Sequence, residues 1–83
     1  MIHQRDDTIN WEGMSIEEIL ELAIEDEEHA RDYYKRAAGV AAGLHTRRML
    51  MQLSDMEQGH ADQLRKELDD LVMQRELEAG MAD

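Results

Sequence analysis

The chain has 83 residues and a mass of 9.6 kDa, which allows one small domain. Nine Lys and Arg stand against twenty Asp and Glu, so the net charge is −11, and there is no Cys, Pro or Phe. The missing Cys excludes a disulfide framework, a zinc finger, an iron–sulfur cluster and a thiol nucleophile. Apolar runs are too short for a membrane span, and the start Met-Ile-His-Gln-Arg-Asp-Asp is no secretory signal. A charge of −11 repels nucleic-acid phosphates and anionic membranes and attracts metal cations. No nucleic acid or membrane partner is expected, and a cytoplasmic location fits the cysteine-free composition.

Residues 1–14 are polar and aperiodic and read as an N-terminal arm, with Trp11 and Met14 as its apolar anchors. Ser15 opens a helix through a capping box with Glu18, and Met14 and Ile19 occupy the staple positions. Ala, Leu, Met, Glu and Arg then continue as good helix formers to about Ala38. Gly39 and Gly43 bracket a linker. A second helix is expected to start between Leu44 and Arg48, with Thr46 as a candidate N-cap, and to run to about Ala79, with Gly80 as its stop and residues 80–83 as a tail. The fold class is all-α: a two-helix antiparallel hairpin over 15–79, with helices near 16–38 and 46–79. So small a domain buries little surface, so a second copy or a metal is the expected supplement.

Both helices carry a heptad seam with polar residues in its middle. In the first, Ile16, Leu20, Ala23, Ala30, Tyr34 and Ala37 follow spacings of four and three once Glu27 fills the gap. In the second, Glu57 and His60 fill the interval between Leu50, Leu53 and Leu64, Leu68, Leu71. A carboxylate in an apolar seam must be neutral, paired or bound to a cation. Counted from the linker, Glu27 lies at a height similar to that of Glu57 and His60. Residues three apart share a helix face, so Glu57 and His60 converge on one point.

Glu-x-x-His is the unit with which helical bundles hold paired iron or manganese ions. The full set takes a Glu from each of two helices and a Glu-x-x-His from each of two more. One chain holds half of it. Two copies complete a four-helix bundle, which predicts a homodimer with the metal pair on or near its two-fold axis. The oxygen and nitrogen donors suit Fe2+ or Mn2+, with Zn2+ as a structural alternative.

The stretch from Glu27 to Tyr34, EEHARDYY, resembles the first metal-binding helix of rubrerythrin-type ferritin-like proteins, where Ala and Tyr follow the ligand Glu at three and seven residues. The stretch MEQGHA at 56–61 resembles their Glu-x-x-His-Ala helix. Most such proteins carry four helices in one chain; the two-helix plan here resembles the encapsulated ferritins. The resemblance implies a di-iron ferroxidase that oxidises Fe2+ with O2 for iron storage or detoxification. Glu27, Glu57 and His60 would be its metal ligands, with two iron ions per dimer. Tyr34 would hydrogen-bond a ligand carboxylate, and Asp26 and His29 would lie where iron arrives. The resemblance also implies a ring-like homo-oligomer and an encapsulin shell, although residues 76–83 are acidic and carry no targeting peptide of that family's kind.

Two other readings fit the same residues. One is a rubrerythrin-like peroxidase using H2O2 and an outside electron donor. The other is a metal-free helical interaction module, in which the Glu57 and His60 pair fixes helix register.

Overall fold

A computed structural model describes residues 10–81. A short 3-10 turn at Trp11–Gly13 leads into helix α1, Ile16–Val40, and helix α2, Leu44–Met81. The two pack on each other as a hairpin, and no strand is present among the described residues. The expected all-α hairpin is therefore present. Of the N-terminal arm, residues 1–9 lie outside the described residues, as do 82 and 83 of the tail.

The start of α1 follows its sequence signal. The Glu18 amide donates to Ser15 Oγ at 3.1 Å, and the Ser15 amide donates back to Glu18 Oε1 at 3.2 Å. The helix ends differ from expectation by a few residues. α1 runs through Gly39 to Val40, and α2 starts at Leu44, the first of its expected positions, so Thr46 is not its cap. No described residue adopts positive φ, so neither Gly39 nor Gly43 acts as a left-handed cap. The chain turns instead through extended Ala41, whose carbonyl accepts a hydrogen bond from Arg47 Nη2 at 3.2 Å. Gly80 does not stop α2, which continues to Met81.

The seams are offset from the expected ones in a way that matters for the site. In α2 the buried positions are Ser54, Glu57 and Ala61. With Leu50, Leu64, Leu68 and Leu71, all partly buried, they follow spacings of four and three throughout. Ala61 therefore takes the seam position expected for His60, and His60 is displaced to the exposed rim. In α1, Ile24, Ala30 and Ala38 are buried, whereas Ile16 is exposed. The contact stripe is thus wider than a two-position seam, as a half-buried helix requires.

Small side chains let the helices approach closely where they cross the site. Ala30 and Ala61 are buried, and Ser54 Oγ donates to the Arg31 carbonyl across the interface at 3.0 Å. A side-chain hydroxyl this short reaches the opposite backbone only when the helices are near. Gly59 plays no part in that approach. It is exposed, and a Cβ there would meet nothing within 4 Å. The core is thin: no large side chain among the described residues is fully buried. Trp11, Ile16, Tyr33, Met49, Met56 and Leu77 all remain exposed. A single hairpin leaves much of its apolar surface uncovered.

Candidate metal centre

Glu27 lies midway along α1, and Glu57 projects from the facing turn of α2. His60 follows Glu57 by three residues and reaches in from the rim. One potential ligand atom from each of these three residues lies within 4.8 Å of the other two. His60 Nδ1 is 3.4 Å from Glu27 Oε2. Glu57 is 7% exposed, whereas half of the His60 side chain is open to solvent. The carboxylates therefore form the floor of the group and the imidazole its edge.

The electrostatics of this group are unfavourable without a cation. Burial raises the Glu57 pKa above the ordinary glutamate value, and the facing Glu27 carboxylate raises it further. His60 acts in the opposite direction. Glu27 Oε2 and Glu57 Oε2 are both buried and accept no hydrogen bond among the described residues. Buried carboxylate oxygens rarely lack donors, because the lost hydration costs free energy. Glu17 Oε1 is also buried without a hydrogen bond, but it faces Arg75 in an ion pair. Glu27 Oε2 has the half-exposed His60 imidazole at 3.4 Å, whereas Glu57 Oε2 has no such partner and faces the Glu27 carboxylate, which makes its deficit worse. Two carboxylates and one imidazole are a donor set for a divalent metal of the Fe2+, Mn2+ or Zn2+ type. The residues fit a metal.

The other expected site residues are less closely placed. Tyr34 is half-buried and packs edge-to-face on Tyr33, with ring centroids 5.5 Å apart. No hydrogen bond joins its hydroxyl to a site carboxylate among the described residues. Asp26 is half-buried next to Glu27 but outside the ligand group. His29 is exposed, two residues past Glu27 and therefore turned about 200° away from it on the helix.

One edge of the site is braced by contacts that the seam pattern did not disclose. Arg31 Nη1 donates to Gln58 Oε1 at 2.6 Å, and Gln58 Nε2 donates to Asp62 Oδ1 at 2.8 Å. Arg65 Nη2 donates to Glu28 Oε2 at 3.1 Å. Glu28 and Gln58 each follow a candidate ligand by one residue, so these bridges tie α1 to α2 beside Glu27 and Glu57. The other edge is open. A groove of about 590 Å3 exposes Glu27 and His60 and is lined further by Gln63, Leu64, Lys66 and Glu67.

Inward carboxylates and a Glu-x-x-His on packed helices are the donor pattern of di-metal carboxylate bundles. The rubrerythrin family model matches residues 18–81, and the chain belongs to that family. Comparison with curated proteins gives no match, and neither does comparison with solved structures. The family match spans both helices and includes all three candidate ligands. Among the described residues, no helix is long and apolar enough to cross a membrane.

Proposed function

We propose that two copies of this chain pair to form a carboxylate and histidine di-iron centre that oxidises Fe2+ to Fe3+ with O2. One observation carries this reading: Glu27, Glu57 and His60 converge within 4.8 Å, and the buried Glu57 carboxylate keeps an oxygen without a donor beside Glu27. One hairpin supplies three ligands, and a two-metal site of this type takes six. The open groove beside Glu27 and His60 leaves room for the second set.

Bound iron would supply the one-electron chemistry that the side chains lack. Held by Glu27, Glu57 and His60 of two copies, a pair of Fe2+ ions would supply the two electrons that reduce O2, with two protons, to H2O2, and would be left as Fe3+. Glu27 and Glu57 contribute two negative charges in a poorly hydrated position and offset metal charge there. His60 contributes one neutral nitrogen from the rim. The braced edge at Arg31 and Gln58 holds the helices in register, so the two carboxylates face each other before metal arrives. The net charge of −11 raises the local concentration of Fe2+.

Bulk iron storage needs an enclosing shell, because a hairpin encloses no cavity. An encapsulin compartment and a higher ring-like oligomer are the partners proposed for that role. The family match also favours a second reading, reduction of H2O2 with an outside electron donor. Comparing O2 with H2O2 as oxidant separates the two.

Anaerobic Fe2+ titration followed by air tests the central claim. Ferric absorbance should break near one iron per chain, as three ligands per copy require. Glu57→Ala should abolish the fast phase. Oxidation no faster than in buffer, in both proteins, would overturn the proposal and leave the metal-free helical module.

A further inference from the structure

The charge of the hairpin is strongly polarised along its length. Residues 33 to 54 contain Lys35, Arg36, Arg47 and Arg48 and no Asp or Glu. This segment is the turn and the helical ends that flank it. The other 61 residues hold five cations and all twenty acids. A chain of net charge −11 is therefore +4 at its turn and −15 elsewhere.

The basic tip is only partly satisfied within the hairpin: Arg47 donates to the Ala41 carbonyl, and Lys35 and Arg36 feel Asp32 at a distance. Arg31, Arg65, Lys66 and Arg75 each face an Asp or Glu in an ion pair. They are the described cations outside the tip. Lys35, Arg36, Arg47 and Arg48 are exposed, and none is in an ion pair among the described residues. At the open end the excess is acidic: Glu12 lies in the 3-10 turn, Glu17 and Glu18 at the start of α1, and Asp69, Asp70, Glu76 and Glu78 in the last third of α2.

The distances match a two-fold arrangement about the metal centre. Glu57 lies thirteen residues from the start of α2, which is about 20 Å at 1.5 Å per residue. The same distance on the other side of Glu57 reaches Asp70. On α1 it reaches the capping region at Ser15. A two-fold axis through the centre and perpendicular to the helices therefore sets the tip of one copy beside the acidic end of the other. The parallel alternative sets tip against tip and acidic end against acidic end. Like charges so placed oppose association. The face to be covered is apolar beside the ligands: Met49, Met56 and His60 are spaced seven and four apart on α2, and both Met residues are about half exposed.

We propose that the basic turn is a docking surface for the acidic open end of a second copy, and that it forces the two hairpins to pair antiparallel. This rests on the reading that two copies share the centre. Exposed ion pairs add little affinity, so the apolar face supplies the association and the charges choose its direction. Salt should then weaken the choice, because screening shortens from about 10 Å at 0.1 M to about 3 Å at 1 M.

The absence of Cys makes the test direct. Arg48→Cys and Lys66→Cys, each nine residues from Glu57, are made as separate proteins and treated with a short bismaleimide, alone and mixed, without metal and with Fe2+ under anaerobic conditions. Antiparallel pairing predicts a cross-linked dimer in the mixture, several-fold above either protein alone and reduced by high salt. Cross-linking of Arg48→Cys with itself would show parallel pairing and overturn the proposal. So would sedimentation as a monomer at all salt concentrations with and without metal. Arg47→Glu with Arg48→Glu should weaken association at low salt at least tenfold, and unchanged association would also overturn it. A mixed cross-link that persists while iron fails to bind would keep the pairing and remove the di-iron reading instead.

Discussion

His60 Nδ1 lies 3.4 Å from Glu27 Oε2, across the interface between two helices. Glu57 is buried between the helices, but His60 is half exposed and adds little to the hairpin's own packing. This division separates stability from binding. His60→Ala should lower the metal-free melting temperature only slightly, since a half-exposed side chain in an ion pair contributes about 0–1 kcal/mol. It should remove the stabilisation that a divalent metal gives. A ligand at a hundred times its dissociation constant stabilises by about 2.7 kcal/mol. Thermal melts of both proteins with and without Mn2+ check this. Equal metal-induced shifts in the two would show that His60 is not a ligand.

Two neighbouring positions on α2 should respond oppositely to added volume. Ala61 has no exposed surface and faces α1. Ala61→Leu should destabilise by about 1–3 kcal/mol through overpacking. Gly59 is exposed, and a Cβ there meets nothing within 4 Å. Gly59→Ala should stabilise by roughly 1 kcal/mol through helix propensity alone. Urea unfolding of both variants measures the pair. A loss of stability at Gly59→Ala would mean that a second chain packs against that glycine.

The hairpin and the meeting of Glu27 with Glu57 were legible because each rests on a local or periodic signal. Ser15 and Glu18 announce a helix start three residues apart, and both of their hydrogen bonds form. Glu27 and Glu57 interrupt apolar seams at matched distance from the turn, and an antiparallel hairpin brings equal distances together. The role of His60 as a seam residue was not legible correctly. Spacings of three and four fit both His60 and Ala61 after Glu57, and the choice depends on how close the helices lie. Ala30 and Ser54 allow close approach, so the smaller Ala61 takes the interior and the imidazole takes the rim. The bridge from Arg31 to Gln58 was hidden for another reason. It joins two polar residues far apart in the chain, and no periodicity marks such a pair. The turn was placed nearly correctly between Gly39 and Gly43, but α1 runs on through Gly39 and the chain turns at extended Ala41.

The buried carboxylate pair should make the metal-free and metal-bound proteins respond oppositely to pH. Burial, with the facing Glu27 carboxylate, raises the Glu57 pKa above its ordinary value of 4.5. The folded chain therefore holds this proton to higher pH than the unfolded chain does. The stability it gives is fully present below the ordinary glutamate range and is lost as pH rises through the folded value. Metal binding runs the other way, because a ligand carboxylate must release its proton before it coordinates. Above pH 4.5, the melting temperature of the metal-free protein should fall with pH as Glu57 ionises. The stabilisation by Mn2+ should grow over the same interval. Glu57→Gln removes the buried charge while keeping the shape. It should flatten the metal-free pH profile, raise stability at neutral pH by on the order of 1 kcal/mol, and abolish the metal effect. Calorimetric melts across that range, with and without Mn2+, give all three readouts. A Glu57→Gln protein less stable than wild type at neutral pH would mean that a donor already satisfies the Glu57 carboxylate, and the case for a cation there would fall with it.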